Sequence, residues 1–123
     1  MQEDIEEIKE FEWYLRDHLF RQSNQSIQQQ QFKKESLAQE MTRLYLRYRN
    51  STLQHMNEMI NAVVEKLISG KVLKKFDNSL ELTSRLSRLQ CSKCFYISYL
   101  SGNEPRNCLR CSSNQLNDFP KKK

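Results

Sequence analysis

Apolar side chains recur every three or four residues in three stretches of the chain, which is the spacing of amphipathic helices. The first stretch covers residues 3–21, the second about 32–48 and the third about 53–69. The sequence therefore predicts three helices. The apolar stripe of the first consists of Ile5, Ile8, Phe11, Leu15 and Leu19.

The segments between these helices carry turn and cap signals. Residues 22–31 are a polar, glutamine-rich joint, and Thr52 is placed to cap the third helix. Gly70 is expected to end that helix in the left-handed conformation. The period then changes to two, and residues 72–76 and 80–83 predict a β-hairpin whose short loop contains Asn78.

Four cysteines, the only ones in the chain, form two C-x-x-C pairs with 13 residues between them. Two such pairs complete a tetrahedral four-sulfur site, which is the usual structural zinc site. The sequence therefore predicts one structural zinc ion. Its ligands are Cys91, Cys94, Cys108 and Cys111.

Two alternatives for the cysteines are disulfides and redox chemistry. Disulfides require an oxidising compartment, whereas the acidic N-terminal segment has no apolar signal sequence. A redox dithiol would require a nearby βαβ pattern, and none is visible. His18 and His55 are not needed as ligands and are expected on helix surfaces.

The chain resembles two known modules. Between the cysteine pairs, residues 95–100 alternate as a strand and turn at 101–103, and with the cysteines this resembles zinc ribbons and rubredoxin-like knuckle pairs. Residues 35–84 resemble a winged helix, which implies that the third helix is a recognition helix and 71–83 a wing. A winged helix followed by a zinc ribbon is similar to the arrangement in transcription factor E proteins.

We therefore expect an α+β fold that is mainly helical. Three helices and a winged-helix-like β-hairpin precede a small four-cysteine zinc ribbon. The predicted regions are an N-terminal helix with its polar joint over 1–31, a winged-helix-like region over 32–84, and a zinc-ribbon module with a basic tail over 85–123. Residues 84–90 serve as a link.

Charge is distributed unevenly along a chain of net charge +5. Residues 1–12 hold six acidic side chains and one lysine, whereas the segment from Gly70 onward is strongly basic. A basic surface suits a polyanion, although a solvated surface remains the alternative. The candidate nucleic-acid-binding residues are Lys71, Lys74, Lys75, Lys93, Arg106, Arg110, Lys121, Lys122 and Lys123.

The apolar face of the first helix is wider than one partner helix usually covers. We expect this helix to pack on the core and also to contact another protein chain, with ordinary core packing as the alternative. The candidate partner-binding residues are Phe11, Trp13, Tyr14 and Phe20.

No nucleophile, phosphate loop or open metal position is recognisable, so we do not expect an enzyme or a small-molecule substrate. No apolar run is long enough for a membrane span, and thiolate ligands indicate a reducing compartment, either nucleus or cytoplasm. The first hypothesis is a non-catalytic zinc-binding adaptor associated with nucleic acid or with transcription, replication or chromosome complexes. The alternative is a structural subunit of a large protein assembly, with zinc as a folding staple.

Overall fold

The computed structural model describes residues 2–25, 31–76 and 79–119. Over these residues the chain is a mixed α+β protein. The helices are α1 (Gln2–Gln25), α2 (Lys34–Leu44), a 3₁₀ helix (Leu46–Tyr48) and α3 (Leu53–Ser69). The strands are β1 (Gln31–Lys33), β2 (Leu73–Phe76), β3 (Ser79–Leu82), β4 (Ser87–Cys91), β5 (Ile97–Leu100) and β6 (Leu116–Asp118).

The first helix is longer than its apolar pattern predicts. It continues through the polar residues 22–25, because glutamine and serine cost a helix little when no proline or glycine interrupts it. Residues 26–30 of the predicted joint lie outside the described residues, and Gln31 already belongs to β1. Phe11, Leu15 and Leu19 form the buried stripe of α1.

The prediction of one helix over residues 32–48 is wrong. Phe32 lies in β1, α2 ends at Leu44, and Tyr45 is extended with φ −116° and ψ 121°. In this conformation the Tyr45 hydroxyl donates a hydrogen bond to Asp17 (2.7 Å), and its ring packs edge-on against Tyr14. These contacts to α1 lie beyond what helical periodicity detects.

The bounds predicted for the third helix are confirmed. Thr52 is its N-cap, and the Thr52 hydroxyl accepts the backbone N–H of His55. Gly70 ends the helix as its C-cap, as predicted. Its predicted left-handed conformation is wrong, because Gly70 has φ −82° and the following Lys71 is left-handed with φ 63°. The N–H of Val72 then donates to the carbonyl of Leu67 (2.9 Å), which closes a Schellman motif one residue later than expected.

The predicted hairpin is confirmed, and a third strand joins it. Strands β2 and β3 pair antiparallel, and β1 pairs antiparallel with β3, with Phe32 opposite Leu80. The sheet order is β1-β3-β2. Because β1 has three residues, its alternation was too short to detect in the sequence. Asn78, predicted in the hairpin loop, lies outside the described residues.

A second three-stranded antiparallel sheet carries the cysteines, with the order β5-β4-β6. The prediction of a link over residues 84–90 is wrong, because Ser87–Cys91 is the central strand. The strand predicted over 95–100 begins only at Ile97, since Phe95 is left-handed with φ 65° and interrupts the extended backbone.

The interior consists of two clusters. The larger contains the helices and the first sheet, and it also takes in Leu86 and Tyr99 from the C-terminal half. The smaller lies within the second sheet, around Leu89, Leu100 and Leu116. Helix α1 packs against both α3 and β5, so it joins the two halves. No described helix is both long and apolar enough to cross a membrane.

Candidate metal centre and its surroundings

The four cysteines converge at one edge of the second sheet. Their sulfur atoms all lie within 4.8 Å of one another. The Sγ atoms of Cys91 and Cys111 are 3.6 Å apart, as are those of Cys94 and Cys108. Four sulfurs placed at 2.3 Å around one zinc ion would be about 3.8 Å apart, so the spacing matches a tetrahedral site. It is too wide for a disulfide, whose sulfurs are about 2.05 Å apart.

The first C-x-x-C pair forms a tight knuckle. The Sγ of Cys91 accepts the backbone N–H groups of Lys93 (3.3 Å) and Cys94 (3.4 Å). The N–H of Phe95 donates to the Cys91 carbonyl, and the N–H of Cys91 donates to the carbonyl of Tyr96. Phe95 closes this turn in the left-handed conformation.

The second pair repeats the same turn. The Sγ of Cys108 accepts the N–H groups of Arg110 (3.4 Å) and Cys111 (3.5 Å). The N–H of Ser112 donates to the Cys108 carbonyl, the N–H of Cys108 donates to the carbonyl of Ser113, and Ser112 also has φ 65°. The two knuckles are therefore equivalent residue by residue.

The surroundings of the sulfurs favour thiolate at the first cysteine of each knuckle. Burial raises the pKa of Cys91, but the N–H donors of Cys94 and Lys93 outweigh it and lower the pKa to about 6. Burial and two N–H donors act in the same opposing way on Cys108, whose pKa is also lowered. Thiolates are the form that binds metal, so the first cysteine of each knuckle favours a cation. At Cys94 the backbone N–H of Tyr96 lowers the pKa, but burial and the neighbouring cysteine sulfurs outweigh it and raise the pKa.

The cysteine cluster could hold a metal ion, and zinc fits its donor set. Cys91 and Cys108 are buried, whereas Cys94 is half-buried and Cys111 exposed, so an ion can enter from one side. With four protein sulfurs around one ion, no position remains for water or substrate. Such a site cross-links the chain.

Contacts outside the knuckles hold them in register. The buried Ser98 of β5 accepts the N–H of Leu109 with its hydroxyl, which ties the second knuckle to the sheet. The N–H of Ser92 donates to the carbonyl of Gln115 (2.9 Å), which ties the first knuckle to the approach of β6.

A polar seam attaches α1 to the cysteine-bearing sheet. Arg16 is 3% exposed, and its guanidinium donates to both carboxylate oxygens of Glu104 (2.8 Å each) and to the carbonyl of Tyr99. The indole N–H of Trp13 donates to the carbonyl of Ile97 (2.8 Å). Burial opposes the ionised form of Glu104. The hydrogen bonds from Arg16 and from the backbone N–H of Ser101, together with the positive charge of Arg16, outweigh burial and lower the pKa of Glu104.

The seam continues at Asp17. Its carboxylate accepts the hydroxyls of Tyr45 and Tyr99 and pairs with Arg21. Burial would raise the pKa of Asp17, but the hydroxyl donors and Arg21 together lower it. Sequence reasoning missed Arg16, Asp17 and Glu104 as structural residues, because α1 and the residues that it contacts are far apart in the chain. The one indication in the sequence was that Arg16 and Asp17 lie beside the apolar stripe of α1.

A cleft of about 460 Å³ opens between α1, α3 and the second knuckle. Trp13, Tyr14 and Tyr96 contribute aromatic surface, and Lys66 and Arg110 are two of its basic residues. The Arg110 guanidinium lies 5.9 Å from the centre of the Tyr96 ring. Glu10 and Glu12 also line the cleft, and Lys66 pairs with Glu12 (2.8 Å), so the cleft combines aromatic surface with side chains of both charges.

The predicted nucleic-acid-binding residues divide into two groups. Lys71, Lys74, Lys75, Lys93, Arg106 and Arg110 are all exposed, and Lys121, Lys122 and Lys123 lie outside the described residues. Lys93 and Arg110 occupy the same position in the two knuckles. Lys74 and Lys75 are successive strand residues, so their side chains leave opposite faces of the hairpin, and Lys74 lies 3.9 Å from Glu81.

The predicted partner-binding residues of α1 are largely used within the chain. Phe11 is 0% exposed and packs edge-on against Tyr48, which removes it from any partner surface and corrects the prediction. Trp13, Tyr14 and Phe20 are half-buried against the larger core. Their remaining exposed surface leaves the prediction of a partner contact open.

The histidines differ from expectation in one case. His18 was expected on a helix surface, but it is buried and its Nε2 lies 2.8 Å from Glu40. It belongs to the packing of α1 on α2. His55 is half-buried, and its Nε2 contacts Glu7 (2.7 Å).

Comparison of the chain with models of known protein families, with curated protein sequences and with solved structures returned no match.

Proposed function

We propose that this chain is a non-catalytic, zinc-binding adaptor associated with nucleic acid or with transcription, replication or chromosome complexes. The observation that carries the proposal is the order of the first sheet, β1-β3-β2, around three helices. A short strand between α1 and α2 joins the hairpin that follows α3. This order of helices and strands supports a winged helix, in which we propose α3 as the recognition helix and the hairpin as the wing.

Zinc is the proposed metal. Four thiolates in tetrahedral spacing suit zinc, whereas hard cations such as Mg²⁺ and Ca²⁺ require oxygen ligands. The three-stranded sheet and paired knuckles support a zinc ribbon, with Cys91, Cys94, Cys108 and Cys111 as ligands. The ion would supply most of the folding free energy of this half, on the order of 10 kcal/mol.

Metal analysis tests the zinc proposal directly. Protein purified under reducing conditions should contain one zinc per chain, and Cys94→Ser should lose it. Ser92→Ala, an exposed change within the same knuckle, is the matched control and should keep the ion. Zinc-free protein that retains full protection of β4 from hydrogen exchange would contradict a structural metal.

The exposed face of α3 supports contact with nucleic acid. Gln54, Asn57 and Asn61 are exposed at positions that share one face of the helix, and amide side chains hydrogen-bond to base edges. The same helix exposes Glu58 and Glu65, which oppose a close approach of phosphates. Binding should therefore come mainly from the basic hairpin and the knuckles, with little dependence on base sequence.

Fluorescence anisotropy with labelled single- and double-stranded DNA and RNA tests nucleic-acid binding. The zinc-loaded protein should bind at low salt, and affinity should fall steeply with salt as counterions are released. A charge-reversal variant should lose binding while keeping zinc and helical content. That variant replaces Lys74, Lys75, Arg106 and Arg110 with Glu.

A matched control reverses four exposed basic residues elsewhere, and it should still bind. The control positions are Lys33, Arg43, Arg49 and Arg85. An equal loss of affinity in the charge-reversal variant and in the control would show that only net charge matters. No binding by the parent protein at low salt would contradict the nucleic-acid role.

A structural subunit of a protein assembly is the second candidate. Leu46 is 76% exposed, and Leu44 and Leu53 are each about half exposed around the connection between α2 and α3. Exposed leucines gathered in one connection are typical of a protein interface. Affinity purification from the native source, compared with a Leu46→Ser variant, tests this role: partner chains should co-purify with the parent and be lost with the variant.

A further inference from the structure

Both the side-chain exposure and the backbone conformation of Phe95 are energetically unfavourable. Its side chain is 69% exposed, and it is the only exposed aromatic residue in the part of the chain whose burial is described. Its backbone has φ 65°, a conformation that is rare for bulky residues. A buried aromatic ring would compensate for such strain, but this ring lies largely in water.

The second knuckle shows that the turn does not require an aromatic residue. Ser112 follows the last cysteine of that knuckle just as Phe95 follows Cys94, and both residues have φ 65°. A small polar residue therefore satisfies the same hydrogen-bonded geometry. The phenylalanine contributes nothing that the knuckle itself needs.

The backbone around Phe95 is held in place from both sides. Its N–H donates to the carbonyl of Cys91 (2.9 Å), and its carbonyl accepts the side-chain amide of Gln90 (3.2 Å). Among the described residues, its ring has no aromatic or cationic neighbour in stacking geometry. The structure thus presents a free aromatic face from a rigid support, which is characteristic of functional positions.

The exposed charge of the two knuckles favours a polyanionic ligand. Lys93 and Arg110 are exposed at equivalent positions of the two knuckles, and their backbone N–H groups are already used by cysteine sulfurs. Glu104, the nearest acidic residue along the chain, is engaged by Arg16. An exposed aromatic ring, on a module whose two knuckles each expose a cation, matches the stacked base and the phosphates of a single strand.

We infer that Phe95 is a stacking platform for an unpaired base of single-stranded nucleic acid, with Lys93 and Arg110 pairing with the adjacent phosphates. This inference rests on the proposed association with nucleic acid and specifies its site and ligand. A base stacks on the exposed face of the ring without readout of its edges, so binding tolerates any base sequence.

The test compares three substitutions of Phe95 in the zinc-loaded protein. Phe95→Asn should bind a labelled single strand about tenfold more weakly, given the usual contribution of one stacked base. Its melting temperature should be equal to or above that of the parent, because Asn tolerates the left-handed conformation. Phe95→Leu should weaken binding similarly, whereas Phe95→Trp should preserve it.

The ligand is varied in parallel. An abasic strand of the same length should bind the parent and Phe95→Asn equally, because only the phosphates remain to be contacted. Lys93→Gln should weaken binding to both strands and reduce the salt dependence.

Two results overturn the stacking inference alone. The first is that Phe95→Asn binds the single strand as well as the parent does. The second is that Phe95→Leu binds it as well as the parent does, because an aliphatic side chain cannot stack on a base. If the parent binds no strand, the proposed nucleic-acid function fails together with the inference.

Discussion

Tyr48 and Tyr99 are both 1% exposed, yet their hydroxyl groups have opposite surroundings. The hydroxyl of Tyr99 donates to Asp17, whereas that of Tyr48 is buried without a hydrogen-bond partner among the described residues. Burial raises the pKa of both phenols, so each is neutral at physiological pH. A buried hydroxyl without a partner is destabilising, and one bonded to a carboxylate is stabilising.

Removing each hydroxyl should therefore have opposite effects. Tyr99→Phe should lower the free energy of unfolding by about 1.5–3 kcal/mol, the usual contribution of a hydrogen bond to a charged group. Tyr48→Phe should leave it unchanged or raise it by up to about 1 kcal/mol, because no bond is lost. Urea denaturation measures both. A larger loss in Tyr48→Phe than in Tyr99→Phe would contradict the assigned hydrogen bonds.

The ionisation of Glu104 makes the free energy of unfolding depend on pH. The pKa of Glu104 in the folded protein lies below the ordinary value of 4.5, because burial is outweighed by the hydrogen bonds from Arg16 and the Ser101 N–H together with the positive charge of Arg16. The stabilisation is therefore complete above about pH 4.5 and is lost as the pH falls through the lower, folded pKa. The difference in unfolding free energy between the parent and Glu104→Gln should be largest near neutral pH and should shrink below pH 4.5. Glu58→Gln, an exposed change on α3, should show a small difference at every pH.

At the scale of elements, α1 contacts β5 and also forms a largely buried ion pair with Glu104, which follows β5 in the chain. The Arg16–Glu104 pair is bidentate and largely shielded from water. Breaking such a pair by removing one partner leaves an uncompensated buried charge. Arg16 also pairs with Glu12 (3.0 Å), which is 9% exposed. A further ion pair of the seam, Arg21–Asp17, has an arginine that is 59% exposed.

Arg16→Met should lower the free energy of unfolding by about 3–5 kcal/mol, because Glu104 loses its counter-charge in a shielded position. Arg21→Met is the matched control, and it should cost no more than about 1 kcal/mol, since its exposed guanidinium is screened by water. Denaturant titration of both variants gives the comparison. Similar losses for the two would contradict the importance of the buried seam.

At the scale of the whole molecule, contacts connect the cysteine-bearing sheet to the helices. We propose that metal binding folds this sheet, which provides the carbonyls of Ile97 and Tyr99 that accept hydrogen bonds from Trp13 and Arg16. Loss of the ion should therefore reach α1. The effect on the stability of α3 should be smaller, because α3 packs mainly against α1, α2 and β2.

Removal of the metal with a chelator should deprotect β4, β5 and β6 from hydrogen exchange. The segment 13–17 of α1 should lose part of its protection, while α3 keeps its own and most of the helical circular dichroism remains. Cys94→Ser should reproduce this pattern without chelator. Unchanged exchange over 13–17 in both experiments would show that the seam does not transmit the loss.

The sequence by itself determined the features that short segments encode. Helical periodicity located α3 with correct bounds, and the change of period located the hairpin of β2 and β3. The spacing of Cys91, Cys94, Cys108 and Cys111 predicted the cysteine cluster, because each C-x-x-C turn orients two sulfurs by itself. Contacts of the second sheet, such as that of Ser98 with Leu109, then bring the two turns together.

The tertiary structure decided everything that depends on distant contacts. Pairing of β1 with β3 turned three polar and aromatic residues into a strand, and contacts with α1 ended α2 before Tyr45. The burial of Arg16 depends on Tyr99 and Glu104, more than 80 positions away in the chain. Local patterns carry no information about such partners, because burial and hydrogen bonding of a polar side chain are decided only when the elements pack.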